Sequence, residues 1–290
     1  MKLGDFSVHY LDGGITNIDG GAMFGVVPRA LWTRKYEVND KNQIPLPTHP
    51  ILIQTGDKNV IIDTGIGFGK LTEKERRNFG AEYESHIKED LEVLDMTTKD
   101  IDYVLMTHMH FDHAAGLTDA EGHAIFENAI HIIQQDEWHE FQSPNLRSKS
   151  TYWTKNNGDF QHKLLLFDKE MEVLPGINIM HTGGHSFGHS IITIESNGEK
   201  AIHMGDIFPT IAHRNPLWIT AYDDYPMQSI REKERLIPNY ILNDYWFLYY
   251  HDVNYILNDY WFLYYHDVNY FAVKFDKQSM PEIETFISRD

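Results

Sequence analysis

The sequence contains no cysteine. That excludes a disulfide framework and removes thiolate from the available metal ligands, so a metal site here has to be built from imidazole and carboxylate. Long apolar runs are also missing. None approaches the roughly 20 residues that a membrane helix needs. Positive charge is scarce: 25 Lys and Arg stand against 43 Asp and Glu, for a formal net charge of -18. Binding nucleic acid means neutralising phosphates with Lys and Arg, which this balance argues against. The excess negative charge is read as solubility. Met1 to Tyr10 has neither a basic n-region nor an apolar h-region, so no secretory signal is expected and the cytoplasm is the expected compartment.

What the chain does have is 290 residues, 42% hydrophobic and 13% aromatic, enough to fill a sizeable core. No Pro/Ser-rich linker divides it, so one domain over residues 1–290 is expected. Ile51 to Gln54 and Val60 to Ile62 read as a β-hairpin with a longer loop. Thr72 to Leu94 is charge-rich and reads as mostly helical. Asp102 to Met106 reads as a buried strand, Ala129 to Ile133 as another, and Asp136 to Phe141 as the start of a helix. Ile177 to Met180, Ser190 to Ile194 and Ala201 to Met204 are further strands. Loosely alternating strands and helices with several hairpins predict an α/β (α+β) fold in packed layers.

One segment is duplicated. Tyr240 to Asn254 recurs without a change as Tyr255 to Asn269, a tandem copy of 15 residues. Solenoid and propeller units are longer and need about three or more copies to bury a core, so this is not repeat architecture.

The chemistry concentrates in His108-Met109-His110-Phe111-Asp112-His113. In extended backbone, residues two apart share a side, so His108 and His110 project together. Asp112 and His113 follow as the chain turns. Neutral imidazole with carboxylate suits zinc, manganese or iron, and four candidate ligands in six residues point to two adjacent ions. In Thr182-Gly183-Gly184-His185-Ser186-Phe187-Gly188-His189, glycines permit a tight turn that can aim either His185 or His189 inward. Asp206 follows an apolar strand, where a carboxylate is costly unless paired or metal-bound, and it can bridge two cations. Asp63 reads as a carboxylate behind a metal-bound histidine, fixing its tautomer. The duplication offers the dipeptides His251-Asp252 and His266-Asp267, and one of those histidines could complete the second metal set.

These motifs resemble the metallo-β-lactamase superfamily in kind and order: Asp-x-Gly at Asp63, H-x-H-x-D-H at His108 to His113, Gly-His at His185, Gly-Asp at Asp206, then a late His. Within it, Gly20 to Pro28 and Asn215 to Pro226 resemble the quorum-quenching N-acyl homoserine lactonases, most closely the YtnP type. The resemblance implies a four-layer αββα sandwich with two divalent ions per chain, zinc foremost. It implies that His108, His110 and His185 hold one ion, that Asp112, His113 and the late His hold the other, and that Asp206 bridges. For the late His the expectation favours His266 over His251, because the downstream strand should fix its register.

The implied activity is opening of an N-acyl homoserine lactone by hydroxide generated between the two cations. Asp206 would be catalytic as the bridge, and Asp112 would be the proton shuttle. Met23 and Phe24 would form an acyl-chain wall. Related lactonases place a Tyr shortly after the bridging Asp; here Ile207-Phe208-Pro209 stands instead. An organophosphate or other ester hydrolase on the same scaffold is the alternative. A second alternative is a metal-binding chain that turns over poorly because of the duplication. The expected partners are a small-molecule lactone or ester and, for assembly, a second copy in a homodimer; neither nucleic acid nor a membrane is expected.

Overall fold

The computed structural model describes residues 1–252 and 272–274. Strands β1 (Lys2–Leu3) and β2 (Phe6–Tyr10) open the chain. A two-stranded ribbon follows, β3 (Ile15–Asp19) with β4 (Gln43–Pro47), enclosing the short helices α1 (Gly20–Phe24) and α2 (Arg29–Trp32). β5 (Ile51–Gln54) and β6 (Asn59–Ile62) form the expected hairpin. Helices α3 (Glu73–Phe79) and α4 (Ile87–Val93) come next, then β7 (Tyr103–Leu105), α5 (Phe111–Ala114), β8 (Ile130–Gln134), α6 (Gln135–Gln142) and β9 (Leu164–Phe167). A meander of β10 (Glu170–Leu174), β11 (Ile177–His181), β12 (Ser190–Ser196) and β13 (Glu199–His203) is followed by α7 (Pro226–Leu242), β14 (Trp246–Leu248) and β15 (Ala272–Lys274).

The strands assemble into a sheet of order β1-β2-β5-β6-β7-β8-β9 and another of order β10-β11-β12-β13-β14-β15. Side-chain alternation explains why both sheets are covered on both faces. Ile51, Ile53, Val60, Ile62 and Leu105 of the first sheet meet Ile177, Ile179, Ile192, Ile194 and Ala201 of the second in one buried layer. The opposite face of the first sheet, with Leu52, Ile61 and Val104, packs on Ile87 and Leu91 of α4 and Phe141 of α6. The opposite face of the second, with Ile191, Ile202 and Phe247, packs on Leu236, Ile237 and Ile241 of α7. Helix, sheet, sheet, helix is the expected αββα order.

The helical stretch expected over 72–94 is two helices. Thr72 and Glu75 form a capping box at the start of α3, and Gly80 ends it in the left-handed region at φ +56. A Cβ at Gly80 would lie 2.8 Å from Asn17 Cβ, so the turn is also a close approach.

Of the duplicated segment, the described residues include the first copy as far as Asp252. β14 belongs to that copy and lies parallel to β13, with His203 opposite Leu248. α7 delivers the chain there directly, since its last turns are packed on the sheet. β15 pairs antiparallel with β14, Val273 opposite Phe247. The downstream run is thus a strand, as the expectation for His266 assumed, but it pairs with the first copy. His266 itself lies outside the described residues. Among those residues, no helix is long and apolar enough to cross a membrane.

Candidate metal centre

Parallel neighbours bring strand ends of the same sense to one edge, and the site forms there. β6, β7 and β8 run parallel in the first sheet, as do β13 and β14 in the second. Asp63 follows β6, the 107–113 loop follows β7, Asp206 follows β13 and His251 follows β14. The 182–189 turn joins β11 to β12.

Asp63 adopts φ +54, a left-handed conformation that Asp tolerates better than most residues. Its carboxylate accepts from the Thr107 backbone N–H at 2.8 Å, the Thr107 hydroxyl at 2.7 Å and His113 Nδ1 at 2.8 Å. Burial pushes this carboxyl up, but His113 and His203 beside it outweigh burial and hold it at about 2.

These outward bonds fix which ring nitrogens face inward. His113 gives its Nδ1 proton to Asp63. His251 Nδ1 is 2.8 Å from the Pro47 carbonyl, which can only accept. His185 Nδ1 is 2.8 Å from Asp223, whose carboxylate is also held by Thr220 Oγ1 at 2.8 Å. His108 Nδ1 is 3.0 Å from Thr107 Oγ1, whose own proton goes to Asp63. In each of these four rings Nε2 is therefore the nitrogen that faces the interior.

The inward atoms form three overlapping groups: His108, His110 and His185; His108, His113 and Asp206; and Asp112, His113 and His251, each with its ligand atoms within 4.8 Å of one another. Asp206 lies between the two ends. Its Oδ2 is 3.4 Å from His185 Nε2 and 3.9 Å from His108 Nε2. Its Oδ1 is 3.4 Å from both His113 Nε2 and His251 Nε2. Asp112 Oδ2 is 3.7 Å from His251 Nε2.

The donor set fits cations. The Nε2 atoms of His113 and His251 are 3.2 Å apart, with each Nδ1 turned outward to an acceptor. That arrangement calls for a proton or a metal ion between them. His108 Nε2 and Asp206 Oδ1 are buried with no hydrogen-bond partner among the described residues, which is costly unless an ion satisfies them. Burial, then His113, His110 and His185, hold His108 well below the ordinary imidazole range, in the neutral form that ligates metal. Against the same burial, Asp206 and Asp63 raise His113, and Asp223 and Asp206 raise His185. The carboxylates thus set up a pocket that favours positive charge.

The turn distinguishes the two histidines that the motif left open. His185 enters the cluster. His189 lies beneath it, its Nε2 accepting the Asp206 backbone N–H at 3.1 Å and its Nδ1 2.9 Å from Thr182 Oγ1. Gly205 makes room: at φ +51, a Cβ there would lie 2.6 Å from His189 Nε2.

Met23 and Phe24 are placed differently from the expectation. They are enclosed, Phe24 stacking on Trp32 and on His213 with ring centroids 5.2 Å away in each case. The aromatic character that marked them as a wall is used to pack α1 against α2 and the 211–218 segment.

Sequence reasoning missed several supporting groups. Asp223 lies in the Asn215 to Pro226 segment that carried the resemblance but had no role read for it, and Thr107 and the Pro47 carbonyl carry no motif. Tyr250 stacks on His113 at 4.1 Å and gives its hydroxyl proton to the Asp112 carbonyl at 2.9 Å. Glu137, in the first turn of α6, is buried among donors, and burial pushes its carboxyl up to about 7.

Comparison with known proteins identifies the family. The family profile described as the metallo-beta-lactamase superfamily matches residues 44–239, and the chain belongs to that superfamily. It is similar to a probable metal-dependent hydrolase from Staphylococcus aureus, whose crystal structure superposes with a TM-score of 0.87 at 71% identity over 88% of this chain and 92% of that one. A probable metallo-hydrolase of Mycobacterium tuberculosis is 24% identical over 189 residues, covering 57% of this chain and 58% of the relative. An N-acyl homoserine lactonase of Bacillus cereus is 28% identical over 165 residues, covering 53% and 61%. The chain thus matches less than two thirds of the length of these curated relatives.

Proposed function

We propose that this chain is a dinuclear-metal hydrolase that opens the lactone ring of N-acyl homoserine lactones. The observation that carries the reading is Asp206, whose two oxygens face two separate sets of bare imidazole nitrogens. His108, His110 and His185 would hold one ion; Asp112, His113 and His251 the other; Asp206 would touch both. Zinc suits an imidazole and carboxylate set without thiolate. Two bound divalent cations supply a water acidic enough to ionise near neutral pH and a Lewis acid for the carbonyl oxygen.

The chain's own groups do the rest. Asp112, partly open to the pocket at 13% side-chain exposure, accepts the proton from the attacking water and returns it to the ring oxygen as the acyl C–O bond breaks. The product is the open-chain hydroxy acid. Ile207 and Phe208 are turned into the core, so no hydroxyl from that stretch reaches the carbonyl. The likeness to an N-acyl homoserine lactonase of Bacillus cereus supports the lactone over other esters. The first copy of the duplication supplies both the strand and His251, which supports an active enzyme over a crippled one.

The test is turnover of short- and long-chain acyl-homoserine lactones beside a phosphotriester, with metal-replete protein. Lactone opening is the expected result. Phosphotriester turnover without lactone opening would replace this reading with the organophosphate one.

A further inference from the structure

His110 is the odd member of the cluster. Its Nδ1 faces inward, 3.0 Å from His185 Nε2, and its Nε2 is buried with no hydrogen-bond partner among the described residues. The other four histidines each have an acceptor behind the ring. What fixes His110 must therefore act through packing and backbone.

Glu137 is in position to do this. Its side chain is buried, and it accepts from three donors: the Met109 backbone N–H at 2.7 Å, the Tyr152 hydroxyl at 2.8 Å and the Ser186 hydroxyl at 2.6 Å. Met109 is the residue between His108 and His110. Ser186 follows His185. Tyr152 lies edge-on to the His110 ring, with centroids 4.9 Å apart. The approach is tight on the far side too: a Cβ on Gly188 would lie 2.1 Å from the Glu137 backbone nitrogen. An isolated carboxylate is expensive to bury, and a satisfied apolar side chain would serve α6 better if packing were the only demand. Here every donor belongs to a segment that carries or packs against the first ligand set.

We propose that Glu137 is the positioning residue of the His108, His110 and His185 half-site: it bolts the 107–113 loop to the 182–189 turn and so sets the separation of His110 from His185. This rests on the reading of those histidines as metal ligands. Glu137 touches no proposed ligand side chain, so it acts only through Met109, Ser186 and Tyr152. The opposite half-site has its own anchors in Asp63 and Pro47 and does not depend on it.

The experiment is titration of chelator-stripped protein with Co²⁺, followed by visible absorbance, alongside thermal unfolding of the metal-free forms. Wild type takes up two Co²⁺. Glu137→Ala keeps one site near wild-type affinity and weakens the other by about 10- to 100-fold, the range for losing an outer-shell partner. Glu137→Gln restores two tight sites, because its amide oxygen keeps Met109 and Tyr152 while its NH₂ donates to Ser186 Oγ. Combining Glu137→Ala with His251→Ala leaves no tight site. Equal weakening of both sites in Glu137→Ala, or of neither, overturns the proposal. Should Glu137→Ala not fold, Tyr152→Phe with Ser186→Ala removes two of the three bonds and must show the same one-sided loss. A wild type that binds fewer than two Co²⁺ overturns the two-metal reading itself, and the role of Glu137 with it.

Discussion

The two ends of the cluster are anchored by different parts of the fold. His113, in α5, and His251, just after β14, are backed by groups at strand ends, Asp63 after β6 and the Pro47 carbonyl at the end of β4, with Tyr250 stacked on His113. His110 and His185 stand on loops, backed by Asp223 from the irregular 215–225 segment and by Glu137 from α6. Sheet edges are held by ladders on both sides. Loops are only as well placed as the few polar bonds that tie them down. The difference predicts that single losses at the sheet end act on one firm anchor, while losses at the loop end are shared among several weaker ones.

The largest expected effect ignores that difference. Asp206→Ala removes the group facing both ends, so turnover should fall by about three orders of magnitude, with bound metal dropping below two per chain by elemental analysis. Turnover within a factor of a few of wild type would break the account of Asp206.

The next effect separates the copies of the duplication. His251→Ala should lose one metal and nearly all turnover, and His266→Ala should do neither. The reverse pattern would show that the second copy replaces the first at the site.

A smaller effect compares the anchors directly. Asp63→Asn keeps a residue that tolerates φ > 0 but cannot accept the His113 Nδ1 proton through its NH₂ group, so metal affinity at that end should fall about 10- to 100-fold. Asp223→Asn should fall toward the lower limit of that range, because Glu137 still holds the turn. Isothermal titration with Zn²⁺ checks the order; a larger loss from Asp223→Asn would reverse the comparison.

The smallest effect lies away from the site. Burial holds the His131 imidazole in β8 down to about 4 from its ordinary 6.5. A depressed imidazole stabilises the fold in full above about pH 6.5 and loses that contribution as the pH falls toward 4, where the unfolded chain binds the extra proton. His131→Leu should therefore lose less stability between pH 7 and 4.5 by urea unfolding, with metal content unchanged.

The same contrast explains what could be read in the sequence. The hairpin, the β7 strand, the meander and α6 were legible because their apolar runs are short, β-branched and bounded by turn residues. The H-x-H-x-D-H run and Asp63 were legible because strand ends place neighbours in sequence on one pocket. The break at Gly80 was hidden by continuous helix-favouring charge on both sides. Asp223 and Glu137 were not legible, since contacts from distant loops leave no spacing in the chain; spacing left His185 and His189 open, and the family resemblance chose His185, which the structure brings into the cluster. Met23 and Phe24 looked like a binding wall because an enclosed aromatic cluster and an acyl pocket share one composition. For the late His, the described residues bring His251 to the cluster and pair β15 with β14 of the first copy, while His266 lies outside them.

The most direct test joins metal count to chemistry in one preparation: divalent metal per chain and the rate of N-acyl homoserine lactone opening, measured as metal is added back to stripped protein. The account predicts that turnover appears as the second equivalent binds and that two equivalents saturate it. Full turnover at one equivalent, or two bound equivalents with no lactone opening, would contradict it.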